Sequence, residues 1–255
     1  MVSNAVPAPI LQARGVEKHF AGVYALAGVD FEILPGECVG LIGDNGAGKS
    51  TLVKILSGAL HPDNGDIMID GQRVTFHSPH EARDLGIETV YQDLALASTL
   101  DATTNMFLGR EVLMKGLLGQ LGFVDRKAMR SRAGDLLQSL SGTVRSLDLP
   151  VNSLSGGQRQ SVAIARALAW GQRVLLLDEP MAALGVTQSG KVVELIRRLR
   201  AQGSIAIVLI SHDLPRVFEV ADRLIVLRQG RRVATMRVEE TSMDHVVGAM
   251  TGAVN

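Results

Sequence analysis

Two hydrophobic periods alternate along this chain. Leu11–Val16 and Ala27–Leu34 place apolar residues at every second position or nearly so, as half-buried strands do. Pro35-Gly36-Glu37 is a turn, and Cys38–Ile42 is a short unbroken apolar run of the kind buried in a parallel sheet. A Gly-rich loop follows, then helical spacing from about Ser50 to Leu60, stopped by His61-Pro62-Asp63-Asn64-Gly65. Ile67–Ile69 and Val74–Phe76 flank Asp70-Gly71 and predict a hairpin. Glu81–Leu85 reads as a short helix and Ile87–Tyr91 as a strand.

From Ala95 to about Asn152 the texture changes. Leu, Met, Ala, Arg and Ser dominate, strand-like runs vanish, and Leu136, Leu137 and Leu140 keep helical spacing. This predicts a mostly helical insertion, inside which Gly116–Gly122 has no clear period. Alternation then resumes. Helices are expected at Gly157–Trp170, Gln188–Gln202, Leu214–Ala221 and Met243–Met250, and strands at Val174–Leu177, Ile205–Ile210, Leu224–Arg228 and Arg232–Met236. Strand and helix in turn imply an α/β domain with a largely parallel sheet. No internal repeat is visible, so one unit is expected rather than a tandem pair.

The Gly-rich loop carries candidate chemistry. Gly43-Asp44-Asn45-Gly46-Ala47-Gly48-Lys49-Ser50 matches G-x-x-x-x-G-K-[ST], with a buried strand before it and a helix after it. Glycines let the backbone turn tightly and present N–H groups to phosphate oxygens. The helix N-terminus adds roughly half a unit of positive charge. Lys49 is a point charge for the β- and γ-phosphates, and the Ser50 hydroxyl is placed to ligate Mg²⁺, with Thr51 nearby. The bland alternative is a Gly-rich turn with an exposed lysine. The bare pattern arises by chance in on the order of one chain in a hundred.

Val174-Leu175-Leu176-Leu177-Asp178-Glu179-Pro180 is a buried strand ending in adjacent acids. In open α/β sheets, ligands bind beyond the carboxyl ends of strands. Successive side chains point apart, so Asp178 suits a Mg²⁺ shell while Glu179 can polarise an attacking water. Alone, an Asp-Glu pair is a weak signal, since solvated strand ends are common. The phosphate loop is what makes it informative.

Leu154-Ser155-Gly156-Gly157-Gln158 is expected by chance in on the order of one chain in several thousand. A helix-forming run follows, with Ser155 as N-cap and two glycines allowing close approach. This is a second helix N-terminus suited to phosphate. Because Gly43–Ser50 already cradles one nucleotide, the economical reading is that the second serves ATP bound to another copy.

With these motifs in this order, the sequence resembles the ATP-binding-cassette (ABC) family over nearly its whole length. The resemblance implies a P-loop NTPase fold with an ABC-type antiparallel β subdomain and a helical insertion subdomain. It implies one nucleotide-binding domain over residues 1–255: β strands at about 10–35 and 66–77, a core at about 36–92 and 157–255, and helices at about 95–156. ATP and Mg²⁺ are the implied ligands. Phe20 falls where the family stacks an aromatic on adenine, Gln92 where a glutamine touches Mg²⁺ and water, and His212 where a histidine contacts the γ-phosphate. For each the bland reading is a core aromatic, a surface glutamine and a solvated histidine. Gly43–Ser57, Ser78-Pro79 through Gly86-Ile87, Val90-Tyr91-Gln92 and Asn105–Glu111 look more narrowly like ATPases of bacterial sugar importers. Met181-Ala182-Ala183-Leu184-Gly185 departs from the family pattern, with Gly185 in place of an aspartate that connects the two active sites. That departure bears on communication between sites, not on ATP binding. The implied partners are a second nucleotide-binding subunit in a homodimer, transmembrane permease subunits, and indirectly a periplasmic sugar-binding protein.

Composition changes the picture only at its edges. Lys plus Arg equals Asp plus Glu, 26 each, so no whole-protein field draws the chain to nucleic acid. Basic clusters at Arg126–Arg132, Arg197–Arg200 and Arg228–Arg232 read first as solvated faces. The single cysteine, Cys38, excludes an intrachain disulfide and sits in an apolar run, as a buried small hydrophobe. Met1–Pro9 shows no signal peptide, and no apolar run approaches the roughly 20 residues of a membrane span. A soluble protein at the cytoplasmic face of the inner membrane is the expectation. Rival readings remain: a non-transport ABC ATPase acting on ribosomes or DNA, a regulatory ATP-binding module with little turnover, and an importer of another cargo.

Overall fold

The structure is a computed structural model, and it describes residues 8–140, 146–170, 172–182 and 184–253. The start of the stretch read for a signal peptide and Ala183 of the unusual segment lie outside the described residues.

In chain order the strands are β1 (Leu11–Phe20), β2 (Val23–Ile33), β3 (Cys38–Ile42), β4 (Asn64–Ile69), β5 (Gln72–Val74), β6 (Ile87–Val90), β7 (Val174–Asp178), β8 (Ala206–Ile210), β9 (Arg223–Arg228) and β10 (Arg231–Arg237). The helices are α1 (Lys49–Leu56), α2 (Pro79–Asp84), α3 (Ala102–Phe107), α4 (Leu117–Gln120), α5 (Arg126–Ser139), α6 (Gly156–Leu168), α7 (Val186–Gln202), α8 (Leu214–Phe218) and α9 (Met243–Thr251). Every predicted element is present. The first two strands run longer than expected because their tips are held by a tight turn, and α1 stops early where Gly58 adopts φ +71°.

Two compact units emerge, one of residues 8–92, 173–180 and 196–253, the other of residues 93–172 and 181–195. The first holds both sheets. An antiparallel sheet has the order β2-β1-β4-β5, and a six-stranded sheet the order β10-β9-β3-β8-β7-β6. In the latter β9, β3, β8, β7 and β6 run parallel, and β10 pairs antiparallel with β9. β3, β7 and β8 are buried at every position, which explains their unbroken apolar runs. Leu11, Leu26 and Phe31 of the small sheet share one apolar core with Val39 and Leu41 of β3 and Val208 of β8. A paired anchor also links the sheets: the Arg173 guanidinium donates to both Asp70 carboxylate oxygens at 2.8 and 2.7 Å. That fork holds the Asp70 carboxyl below the usual carboxylate range.

The turn between β1 and β2 is Ala21-Gly22, with φ +45° and +85°, the two left-handed residues that a two-residue hairpin loop requires. Ala is strained there, whereas Asn and Gly enter this region readily. Ala21→Asn is expected to raise the apparent melting midpoint by a degree or two, for about 0.5 kcal/mol. A lower midpoint in a thermal melt would refute this.

The second unit packs α3, α5 and α6 against one another. Their buried faces include Met106 and Phe107, Met129, Ala133 and Leu137, and Val162 and Ala163. Trp170 meets Phe107 edge-on at 5.6 Å, and the Arg132 guanidinium lies over both rings at 5.0 and 5.9 Å. The stretch without a clear period, Gly116–Gly122, holds α4 and is flanked by an isolated bridge, Leu113 to Val124. Leu117, Leu118 and Leu121 there are exposed, so no buried face imposed a period on it.

Candidate functional site

The strand order decides which loops meet. Within the six-stranded sheet, β3, β8, β7 and β6 are consecutive neighbours running in one direction. Their carboxyl ends therefore open at one edge. Gly43 follows β3, His212 follows β8, Asp178 and Glu179 close β7, and Gln92 lies two residues past β6. Four motifs spread over 170 residues of sequence thus come to one side, the place where open α/β sheets bind ligands.

The phosphate loop is shaped by close backbone approaches. Gly43 has φ +151°, and a Cβ there would lie 2.2 Å from the Leu227 carbonyl oxygen. At Gly48, φ is +104° and a Cβ would come within 2.5 Å of the Ala25 carbonyl oxygen. No other residue type fits either position. The Gly230 N–H donates to the Ala47 carbonyl at 3.1 Å while its own carbonyl accepts from Ala27 N–H at 2.8 Å. Gly230 thereby ties the loop to β2. Asp44, Asn45, Gly46 and Ser50 are exposed, Thr51 is half-buried, and Ala47 packs inward. Gly48 is the N-cap of α1, whose first turn is Lys49-Ser50-Thr51.

Lys49 is 9% exposed, and its Nζ donates to the carbonyls of Gly43 at 2.7 Å and Asp44 at 2.9 Å. Burial pushes its ammonium below the ordinary lysine range, and the charges of Glu179, Asp44 and Asp178 oppose that shift. The same electrostatics act in reverse on Asp178. Burial and the adjacent Glu179 raise its carboxyl, against Lys54 and Lys49. These mutual influences place the β7 acids and Lys49 in one charged neighbourhood.

Asp178 Oδ1 is buried and makes no hydrogen bond among the described residues. An orphaned, desolvated carboxylate oxygen is costly unless a cation compensates it. With the exposed Ser50 hydroxyl available from the loop, this donor set fits a hard, oxygen-ligated divalent cation such as Mg²⁺.

Glu179 has φ +51°, a strained conformation for a side-chain-bearing residue. Its N–H donates to Ile210 O at the end of β8, 3.0 Å away, which pins the turn. Its carboxylate lies 3.0 Å from His212 Nδ1, with Glu179 mostly buried and His212 73% exposed. A recessed carboxylate and an accessible imidazole form a pair that can hold and orient a water. Gln92 is exposed. Tyr91 beside it is hydrogen-bonded through its hydroxyl to the buried Ser57 at 3.0 Å, a contact not anticipated from the sequence. Phe20 ends β1, 49% exposed, with Lys18 Nζ 5.7 Å above its ring. An exposed aromatic face of this kind is available for stacking.

In the second unit, Ser155 caps α6. Its Oγ accepts from Gln158 N–H at 3.3 Å, and Gln158 Oε1 accepts from Ser155 N–H at 2.9 Å, a reciprocal capping box. Leu154 is buried beneath it. A Cβ at Gly156 would meet Leu184 at 3.0 Å, and one at Gly157 would meet Gln188 at 3.2 Å. Ser155→Ala should cost about 1 kcal/mol through loss of the cap, read as a lower denaturation midpoint. An unchanged midpoint would show that the cap contributes nothing. Gly185 has open space where a Cβ would stand, so sterics do not impose glycine there, while Met181 is buried.

A family model described as ABC transporter matches residues 26–182. A fructose import ATP-binding protein of Rhizobium meliloti is 49% identical over 247 residues, covering 96% of this chain and 95% of that protein. A xylose/arabinose import ATP-binding protein of Sulfolobus acidocaldarius is 46% identical, covering 95% and 94%. A ribose import ATP-binding protein of Rubrobacter xylanophilus is 45% identical over 96% of this chain but only 48% of its own length. Among solved structures, a dimeric ATP-binding cassette in a post-hydrolysis state with ADP and Pi has a TM-score of 0.76 and 28% identity, covering 89% of this chain and 98% of that one.

Proposed function

The chain belongs to the ABC transporter family, and from that premise we propose that it is the ATP-hydrolysing subunit of a sugar importer. The observation that carries the reading is the single sheet edge at which the phosphate loop, Asp178, Glu179 and His212 converge. In this reading Gly43–Thr51 cradles the phosphates of ATP and Phe20 stacks on the adenine. Ser50, Asp178 and Gln92 hold Mg²⁺, which when bound neutralises charge on the phosphates. Glu179 takes a proton from the attacking water, and His212, 3.0 Å away, keeps that carboxylate oriented and faces the γ-phosphate.

Two copies sandwich two ATP molecules, each between Gly43–Thr51 of one copy and Ser155–Gln158 of the other. Closure is a ligand-driven shift between open and closed states, released by hydrolysis. The whole chain serves as one nucleotide-binding domain at the cytoplasmic face of the membrane. No described helix is long and apolar enough to cross a bilayer. Permease subunits supply the path in this reading. The segment near Gln92 and the helical insertion, with exposed Leu117 and Leu121, is where they receive the motion. A monosaccharide is the cargo, supported by the sugar-import names of relatives matched over 94–95% of their own length.

The test is ATP hydrolysis by the purified chain across a range of protein concentration. Specific activity that rises with concentration supports a dimeric motor. Specific activity independent of concentration removes the sandwich, and no turnover with any permease present removes the motor.

A further inference from the structure

The segment that follows Gln92 is held in an uncommon way. Ala95 has φ +48°, a left-handed conformation that a residue with a Cβ adopts only under constraint. The Ala95 N–H faces Asp93 Oδ1 locally, at 3.5 Å, and its carbonyl is held from far along the chain. Arg166, near the C-terminal end of α6, donates from Nη1 to the Ala95 carbonyl at 2.7 Å and from Nη2 to the Leu94 carbonyl at 2.8 Å. One planar guanidinium thus spans two successive carbonyls, a grip that only its fork geometry provides. The segment's other end is closed by Asn105 of α3, fully buried. Asn105 accepts from Ala97 N–H at 2.7 Å and donates to the carbonyls of Ala97, Leu100 and Asp101. The Asn105 contacts span at most eight residues, whereas the Arg166 contacts span 71 and 72. Arg166 therefore ties this segment to a different element, the helix that begins at the Ser155 cap. Ten residues of helix separate Gly156 from Arg166, about 15 Å of rigid rod.

We propose that Arg166 is a positioning residue for ATP hydrolysis, setting the segment that carries Gln92 and tying it to the helix that begins at Ser155. The inference rests on the ATPase reading. Arg166 acts through the backbone, by holding the Leu94 and Ala95 carbonyls in the segment that directly follows Gln92.

The test is a Mg²⁺ titration of ATPase activity at saturating ATP, for wild type, Arg166→Ala, Arg166→Lys, and Arg166→Ala combined with Ala95→Gly. Arg166→Ala is expected to lower kcat roughly ten- to a hundredfold, as a displaced positioning group does, and to raise half-saturating Mg²⁺ about threefold or more. Arg166→Lys, able to reach one carbonyl, should fall between. Adding Ala95→Gly should recover up to roughly tenfold in kcat, because glycine adopts φ +48° without strain and needs less holding. A merely structural arginine would lower kcat and the melting midpoint together, leave half-saturating Mg²⁺ unchanged, and gain nothing from Ala95→Gly; that pattern overturns the proposal. If Arg166→Ala does not fold, Arg166→Lys decides by the same titration. If the wild type binds ATP without turning it over, the ATPase reading fails by itself. The same variants are then compared by the Mg²⁺ dependence of fluorescent-ATP binding.

Discussion

Glu179→Gln should retain ATP binding and lose turnover by about 10²- to 10⁴-fold, the range expected when a positioned base is removed. The amide has nearly the carboxylate's shape and can still meet His212 Nδ1, 3.0 Å from the present Oε2. The strained backbone at φ +51° and its hydrogen bond to Ile210 O depend on the main chain, not on the charge. What disappears is the group that accepts the water's proton. Loss of one negative charge beside Lys49 and Asp178 should if anything favour the polyphosphate. Binding is therefore expected to hold while the closed dimer accumulates. Light scattering in ATP gives the second readout: a doubled mass supports the sandwich, and a monomer at saturating ATP ends it. A kcat within about threefold of wild type would remove Glu179 from its assigned role.

Lys49→Ala should fail in the opposite manner, losing nucleotide binding and turnover together by about two to three orders of magnitude. Lys49 Nζ is buried against the carbonyls of Gly43 and Asp44, so its ammonium already sits on the loop that meets phosphate. Deleting it removes the only charged donor of that loop, since Asp44 and Asn45 supply none and Ser50 is neutral. It also strips two partly buried carbonyls of their partner, so a modest fall in melting midpoint accompanies the effect. Fluorescent-ATP titration separates the two consequences. Retention of more than about a tenth of wild-type activity would overturn the role given to Lys49. Taken together, the two variants distinguish a binding charge from a catalytic base within one site.

Much of this was legible in the chain because it is local. The Asp70-Gly71 turn, the Ser155 N-cap and the strand before Gly43 involve residues within about four positions of one another, where backbone geometry answers to near neighbours. The candidate residues were legible for a related reason. Phosphate chemistry demands particular residue types at fixed spacing on one loop, and Gly43–Ser50 meets that demand unaided. Arg166 was missed. Its one visible trace is a lone cation inside the apolar run from Val162 to Leu168, which reads equally well as the solvated side of an amphipathic helix.

The sequence by itself determined which segments become strands, helices and turns, and which residues could carry chemistry. Only the tertiary structure decided their company. Cys38–Ile42, Val174–Asp178 and Ala206–Ile210 are all short buried apolar runs, chemically interchangeable, and nothing in them specifies the order β3-β8-β7. That order puts His212 against Glu179, leaves Asp178 Oδ1 buried without a hydrogen bond among the described residues, and turns separate motifs into one charged edge. The Arg166 grip on Leu94 and Ala95 is of the same kind, closed across 71 and 72 residues. Contacts at such range are selected by global packing, because the entropy of closing them is recovered only when the whole sheet and its helices form at once.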